Sequence, residues 1–199
     1  MKVQHPRLQK RRRKAPYRAI LDAALALLFE DGYTKLTVER LAERAGVSRQ
    51  TIYRWWPSLG AVVLEAYGEE AARRVPEPDT GSLAGDLRQL LGDISKLWRA
   101  HGDAPRAMIA ESQRDPRFME LWREFNQRRR EVLLRILKRA EERGELALGS
   151  DAEFLTDVIY GPLWYRLLLG HAPLDEDFTE RIVAIMGRLV EEKNSSSRP

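Results

Sequence analysis

The stretch Thr37–Ser58, TVERLAERAGVSRQTIYRWWPS, decides how the rest of this chain is understood, because it reads as two short helices joined by a glycine turn. Thr37 is a good N-cap for a helix from about Val38 to Ala45, in which Val38, Leu41, Ala42 and Ala45 share one apolar face. Gly46 stands where a helix takes a left-handed residue after its last turn. Ser48, two positions on, can accept from the free N–H groups of a second helix. Two steeply crossed helices need a small residue at their contact, a glycine in the turn and an apolar anchor on the second helix, and Ala42, Gly46 and Ile52 supply these. With Ile52 turned inward, Arg49, Gln50, Tyr53 and Arg54 turn outward, a set suited to base edges and phosphates. Ordinary αα-hairpins use the same small-residue spacing, so the flanking sequence has to discriminate.

Upstream, Ile20, Leu21, Ala24, Leu27 and Leu28 form the stripe of a helix ending at Gly32, completing a three-helix helix-turn-helix domain over residues 15–60. Before it comes Lys10-Arg11-Arg12-Arg13-Lys14. Residues 1–60 hold 13 Lys+Arg against 5 Asp+Glu, net +8; the remainder holds 21 against 25, net −4, and the two sum to the chain's +4. Charge concentrated in this way is the footprint of a polyanion, most simply the phosphate backbone of double-stranded DNA. A solvated basic tail is the plain alternative for the run itself. Beside a helix-turn-helix, residues 1–14 fit better as an arm in which Arg11, Arg12 and Arg13 follow the DNA backbone or an adjacent minor groove.

The remaining residues also read as helix. Ser58 caps a helix through Val62, Val63, Ala66 and Tyr67, which ends before the linker Pro76–Gly81. Leu83, Leu87, Leu90, Leu91, Ile94, Leu97 and Trp98 recur with helical period, and Pro105 opens a short helix closed by Asp115-Pro116. Asp115 and Pro116 then serve as N-cap and first residue of a long helix whose stripe runs from Phe118 to Ala140. Ser150 and Glu153 have the spacing of a capping box for a helix from Asp151 to about Leu169, and a last helix starts near Asp175. The expected fold is all-α, about nine helices in total: the helix-turn-helix domain, a helical bundle over residues 61–193 for sensing and dimerisation, and a disordered tail at 194–199.

The segment Val158–Leu169, VIYGPLWYRLLL, is apolar on nearly every side and must be buried on more than one face. One face is expected on the subunit's own helices and another, with the last helix, on a second copy across a two-fold axis. Leu155, Tyr165, Leu168, Ile182, Ile185, Met186 and Leu189 are the expected homodimer interface. A deeply buried helix of a monomer is the alternative. Gly161-Pro162 should bend the helix, because proline removes a backbone donor.

No strands, repeats or membrane-spanning apolar run are evident, and the basic N-terminus lacks a signal-peptide core, so a cytoplasmic protein with no membrane partner is expected. Without cysteine there is no disulfide, thiol nucleophile or thiolate metal site. His5, His101 and His171 lack partner motifs, and none has a Glu three residues before it; no catalytic residue, metal or cofactor is expected.

The order FEDGY (Phe29–Tyr33), TVERLAERAGVS (Thr37–Ser48) and TIYRWWPS (Thr51–Ser58) resembles the N-terminal domain of TetR-type bacterial transcriptional regulators over roughly residues 15–67. MIAESQRDPRF (Met108–Phe118), RGEL (Arg143–Leu146) and GPLWYRLLLGHAPLDEDF (Gly161–Phe178) resemble one class of TetR ligand-binding domains. The resemblance implies a dimeric protein, usually a repressor, with a small-molecule pocket and a four-helix dimer interface. It implies phosphate contacts from Thr37, Ser48 and Tyr53, and approach to bases by Arg49, Gln50, Thr51 and Arg54. Leu59 departs from the pattern, because relatives often carry a phosphate-binding lysine there. Trp56 replaces a more frequent phenylalanine and reads as core.

Trp98, Met108, Trp122, Phe125, Ile159 and Trp164 are the candidates to line a pocket for a small apolar or amphipathic ligand, about half of them touching it. The helix from Ser58 to about Val75 would couple that pocket to the DNA-reading helices. Two other readings stay open: an architectural DNA-binding protein without an effector, and a helical ligand-binding module with an incidental helix-turn-helix.

Overall fold

The computed structural model describes the backbone of residues 15–196 and side chains through Arg188. The basic arm with Arg11, Arg12 and Arg13, and the side chain of Leu189, lie outside the described residues. Among the described residues there are nine α-helices, one short 3-10 turn and no strand. They are α1 (Ala15–Asp31), α2 (Val38–Ala45), α3 (Arg49–Tyr53), α4 (Leu59–Arg74), α5 (Leu83–His101), α6 (Asp103–Arg114), α7 (Pro116–Glu142), α8 (Ala152–Leu169) and α9 (Glu176–Ser196), with the 3-10 turn at Tyr33–Lys35. None is long and apolar enough to cross a membrane. The last helix runs on to Ser196, into the stretch expected to be a tail.

The chain forms two compact units. Among the described residues, the first takes residues 15–70 together with Ala107–Trp122, and the second takes Ala71–Arg106 and residues 123–196. In the first, α1 packs against α2 and buries Ile20, Leu21, Ala24, Leu27 and Leu28, the stripe expected from periodicity. Asp115 caps α7 as its sequence suggests: its Oδ1 accepts from Arg117 N at 2.9 Å, and Pro116, which has no amide hydrogen to satisfy, is the first helical residue.

In the second unit, α9 packs along α5, and Leu87, Leu90, Leu91, Leu133, Ile136 and Leu137 are almost fully buried. One expectation changes here. The N-cap of α8 is Asp151, which accepts from Phe154 N at 3.0 Å, while Ser150 donates to the Ala147 carbonyl at 2.7 Å; the stronger carboxylate acceptor one residue on displaces the serine. The linker Pro76–Gly81 is fastened by arginines of α7. Glu77 accepts from Arg135 at 2.8 Å and from Arg139 at 2.5 Å, Arg139 also donates to the Pro78 carbonyl at 2.6 Å, and Arg129 reaches the Val75 carbonyl at 3.1 Å.

Burial would raise the Glu77 carboxyl, but the hydrogen bonds and charges of Arg139 and Arg135 together hold it below its ordinary value. A depressed carboxyl contributes stability that is fully present above the ordinary value of 4.5 and is lost as pH falls through the folded value. The melting temperature should therefore fall as pH drops below that value, and Glu77→Gln should show less of the fall. An identical acid profile for variant and wild type, followed by calorimetry, would remove Glu77 from the account.

Candidate nucleic-acid interface

The two helices of the central hairpin are set by their caps. The Thr37 side chain accepts from Arg40 N at 3.2 Å and starts α2. Gly46 ends it in the left-handed region at φ 65°, and Val47 N returns to the Ala42 carbonyl at 2.9 Å. Ser48 accepts from Thr51 N at 3.2 Å, and its hydroxyl shares a 3.0 Å hydrogen bond with the Thr51 hydroxyl. Ile52 is fully buried; Arg49, Gln50, Tyr53 and Arg54 are exposed, and Thr51 is half-buried. Thr37 and Ser48 are exposed at the starts of their helices, where backbone N–H groups favour anions. Of the seven DNA-contact candidates among the described residues, six are exposed and Thr51 is half-buried.

Arg49 is held by an ion pair to Glu39 across the turn, 2.7 Å, with both side chains about 60% exposed. A hydrogen bond from its own backbone amide, and then the Arg49 guanidinium, hold the Glu39 carboxyl below its usual value. So exposed a pair contributes little to stability.

Trp56 is buried, as its size suggests, with its indole N–H donating to Glu65 at 2.6 Å. The Tyr17 hydroxyl donates to the other oxygen of the same carboxylate, and the Tyr17 ring stacks on Trp56 with centroids 4.8 Å apart. Trp55 meets both rings edge-on, at 5.2 and 5.7 Å, and carries the Arg54 guanidinium 5.2 Å above its ring. Sequence reasoning missed Tyr17 and Glu65: the signal is a buried tryptophan needing an acceptor, but nothing local says which acidic residue supplies it. Leu59 is half-buried as the first residue of α4.

The pocket candidates divide between the units. Met108 and Trp122 belong to the first, Trp98, Phe125, Ile159 and Trp164 to the second. Met108 and Ile159 are fully buried, Trp122 and Phe125 nearly so. Trp98 and Trp164 are half-buried and in ring contact, centroids 4.7 Å apart. Within the second unit, Trp98 borders an open cleft of about 500 Å³.

Helix α8 has one buried face, Thr156, Ile159, Leu163 and Leu167, and one exposed apolar face. Tyr165 and Leu168 are exposed, as is Ile185 on α9, while Leu155 is half-buried and Ile182 and Met186 are buried within the chain itself. Phe154 and Leu169, not among the interface candidates, are 63% and 62% exposed; their spacing to Tyr165 and Leu168 on the same helix was the available signal.

Comparison with known proteins agrees with this architecture. The pattern "Bacterial regulatory proteins, tetR family" matches residues 20–66, and "Tetracyclin repressor-like, C-terminal domain" matches residues 77–186. An uncharacterized HTH-type transcriptional regulator of Bacillus subtilis, YdeS, is 35% identical over 86% of this chain and 88% of its own. The DNA-binding transcriptional repressor TetR of Mycobacteroides abscessus is 31% identical over 83% of this chain and 88% of its own. The crystal structure of the TetR family transcription regulator SCO0332 superposes with a TM-score of 0.78 at 29% identity, covering 89% of this chain and 98% of that one. The chain belongs to the TetR family of bacterial transcriptional regulators, whose members generally bind DNA and carry a ligand-binding C-terminal domain.

Proposed function

We propose that the protein is a repressor that binds a palindromic operator as a homodimer and leaves it when a small molecule occupies the region 61–193. The observation that carries this reading is α3: buried Ile52 and the Ser48 cap orient a helix that leaves Arg49, Gln50 and Tyr53, with Arg54 at its end, exposed. Thr37, Ser48 and Tyr53 hold phosphates, and Arg49, Gln50, Thr51 and Arg54 approach base edges. Two such helices would enter successive major grooves about 34–36 Å apart for half-sites one turn apart. The exposed apolar face of α8, with Ile185 of α9, supports a two-fold contact between copies. The name of the Mycobacteroides abscessus relative supports the repressing sign.

Binding-site selection with the purified protein, followed by gel shifts on the selected palindrome, tests the reading. Arg49→Ala should weaken binding to the selected site by about 1–3 kcal/mol and flatten its preference over scrambled DNA. Affinity should fall steeply with salt, because phosphate contacts release counterions. Unchanged selectivity in Arg49→Ala and Gln50→Ala, or a monomer by sedimentation at micromolar concentration, would overturn the corresponding part. A selected palindrome that no small molecule releases would leave an architectural protein.

A further inference from the structure

The cleft beside Trp98 lies within the second unit, among the last turns of α5 and α8, the start of α6 and the loop 170–174. Three of its lining residues are arginines, Arg99, Arg106 and Arg166, and His171 is a fourth basic group. The guanidiniums bond mainly to main-chain carbonyls. Arg99 donates to the Leu174 carbonyl, Arg106 to the Leu167 carbonyl at 2.8 Å, and Arg166 to the Pro173 carbonyl at 2.5 Å. Asp103 is the one acidic residue in the lining; its side chain is 95% exposed and pairs with Arg106 at 2.8 Å. Arg166 also lies over the Phe178 ring, 4.2 Å from its centroid.

Main-chain carbonyls orient a guanidinium without cancelling its charge. Each guanidinium has five N–H donors, and the bonds above occupy one or two of them. A brace for the carboxyl end of α8 would account for Arg106, which bonds a carbonyl of that helix's last turn. Arg99 and Arg166 fasten the following loop in the same way, each through one bond, which leaves their other donors and their charge to the cleft. Trp98 and Leu167 add an apolar wall to the same cleft. About 500 Å³ falls within the range of small-molecule sites.

We propose that this cleft binds an amphipathic oxyanion, its carboxylate or phosphate held by Arg99, Arg106 and Arg166 and its apolar body against Trp98 and Leu167. Oxyanions match the planar fork of arginine and gain from charge-assisted bonds to it. Asp103, anchored by Arg106 alone among the described residues, is the group the anion displaces. The assignment rests on the reading of the C-terminal region as a sensor and specifies the class of its ligand.

Calorimetric titration of the full chain with 1-naphthoate and with 1-naphthyl phosphate, and with neutral 1-naphthalenemethanol as control, tests it in the absence of DNA. At least one oxyanion should bind about tenfold or more tighter than the alcohol and weaken as sodium chloride rises from about 50 to about 300 mM. Preference for the phosphate or for the carboxylate distinguishes the two head groups. Arg106→Gln and Arg166→Gln should each lose about tenfold of that affinity, with thermal melting as the check on folding. If either variant fails to fold, Arg99→Gln and the salt series on wild type still decide. Equal affinity for alcohol and oxyanions, no binding of either oxyanion, or folded variants that bind like wild type would overturn the assignment. Operator release is read separately by gel shift. An oxyanion that binds without releasing the operator leaves the cleft standing and removes the sensor reading; release by neutral compounds alone does the reverse.

Discussion

Asp86→Ala should lower the unfolding free energy by about 3 kcal/mol, read by urea denaturation at neutral pH. The carboxylate is fully buried at the first turn of α5, where Oδ1 accepts from Thr80 N at 2.6 Å and from the Thr80 hydroxyl at 2.8 Å. Its Oδ2 has no hydrogen-bond partner and faces the guanidiniums of Arg139 and Arg143 at 3.8 and 3.7 Å. Truncation would strip Thr80 of its acceptor and leave two arginines facing a cavity, and breaking a buried pair in this way costs about 3–5 kcal/mol. The lower end applies, because both arginines are about a quarter exposed and keep Glu77 and Glu145 as partners. Asp86→Asn retains an acceptor for Thr80 and should lose less. A loss under about 1 kcal/mol in the alanine variant would show that water replaces the carboxylate without penalty.

Gly60→Ala should destabilise the protein by about 1–3 kcal/mol, although alanine is the better helix former. Gly60 lies in the first turn of α4, and a Cβ there would stand 2.6 and 2.7 Å from two ring carbons of Phe118 and 3.2 Å from the Tyr33 hydroxyl. Neither neighbour gives way easily. Phe118 is buried and in ring contact with Tyr33, centroids 6.2 Å apart. Burial, and then the charges of Glu111 and Asp115, push the Tyr33 phenol up to about 12, so it stays neutral in this environment. Phe118→Leu should recover part of the loss, and a double-mutant cycle by thermal or urea unfolding gives the coupling directly. Additive effects in that cycle would mean that the ring moves aside.

These two sites mark where the sequence could and could not be read. Gly60 looks like an ordinary helical glycine, and only contact with a residue 58 positions away makes it obligatory. Asp86 looks like an acidic residue in a first helical turn, a position explained by the helix dipole alone. The linker Pro76–Gly81 carries every local sign of looseness, yet arginines from α7 fasten it.

What was legible was local. Thr37, Gly46 and Ser48 act through bonds to backbone groups within five residues, so cap chemistry placed α2 and the start of α3 correctly. The stripes of α1, α5 and α7 followed from a period that any amphipathic helix must keep. The cluster of Tyr17, Trp56 and Glu65, the joining of Ala107–Trp122 to the N-terminal unit and the arginine cleft beside Trp98 needed the folded chain. Each depends on which distant side chains meet, and helical periodicity states which face is buried without naming its partner.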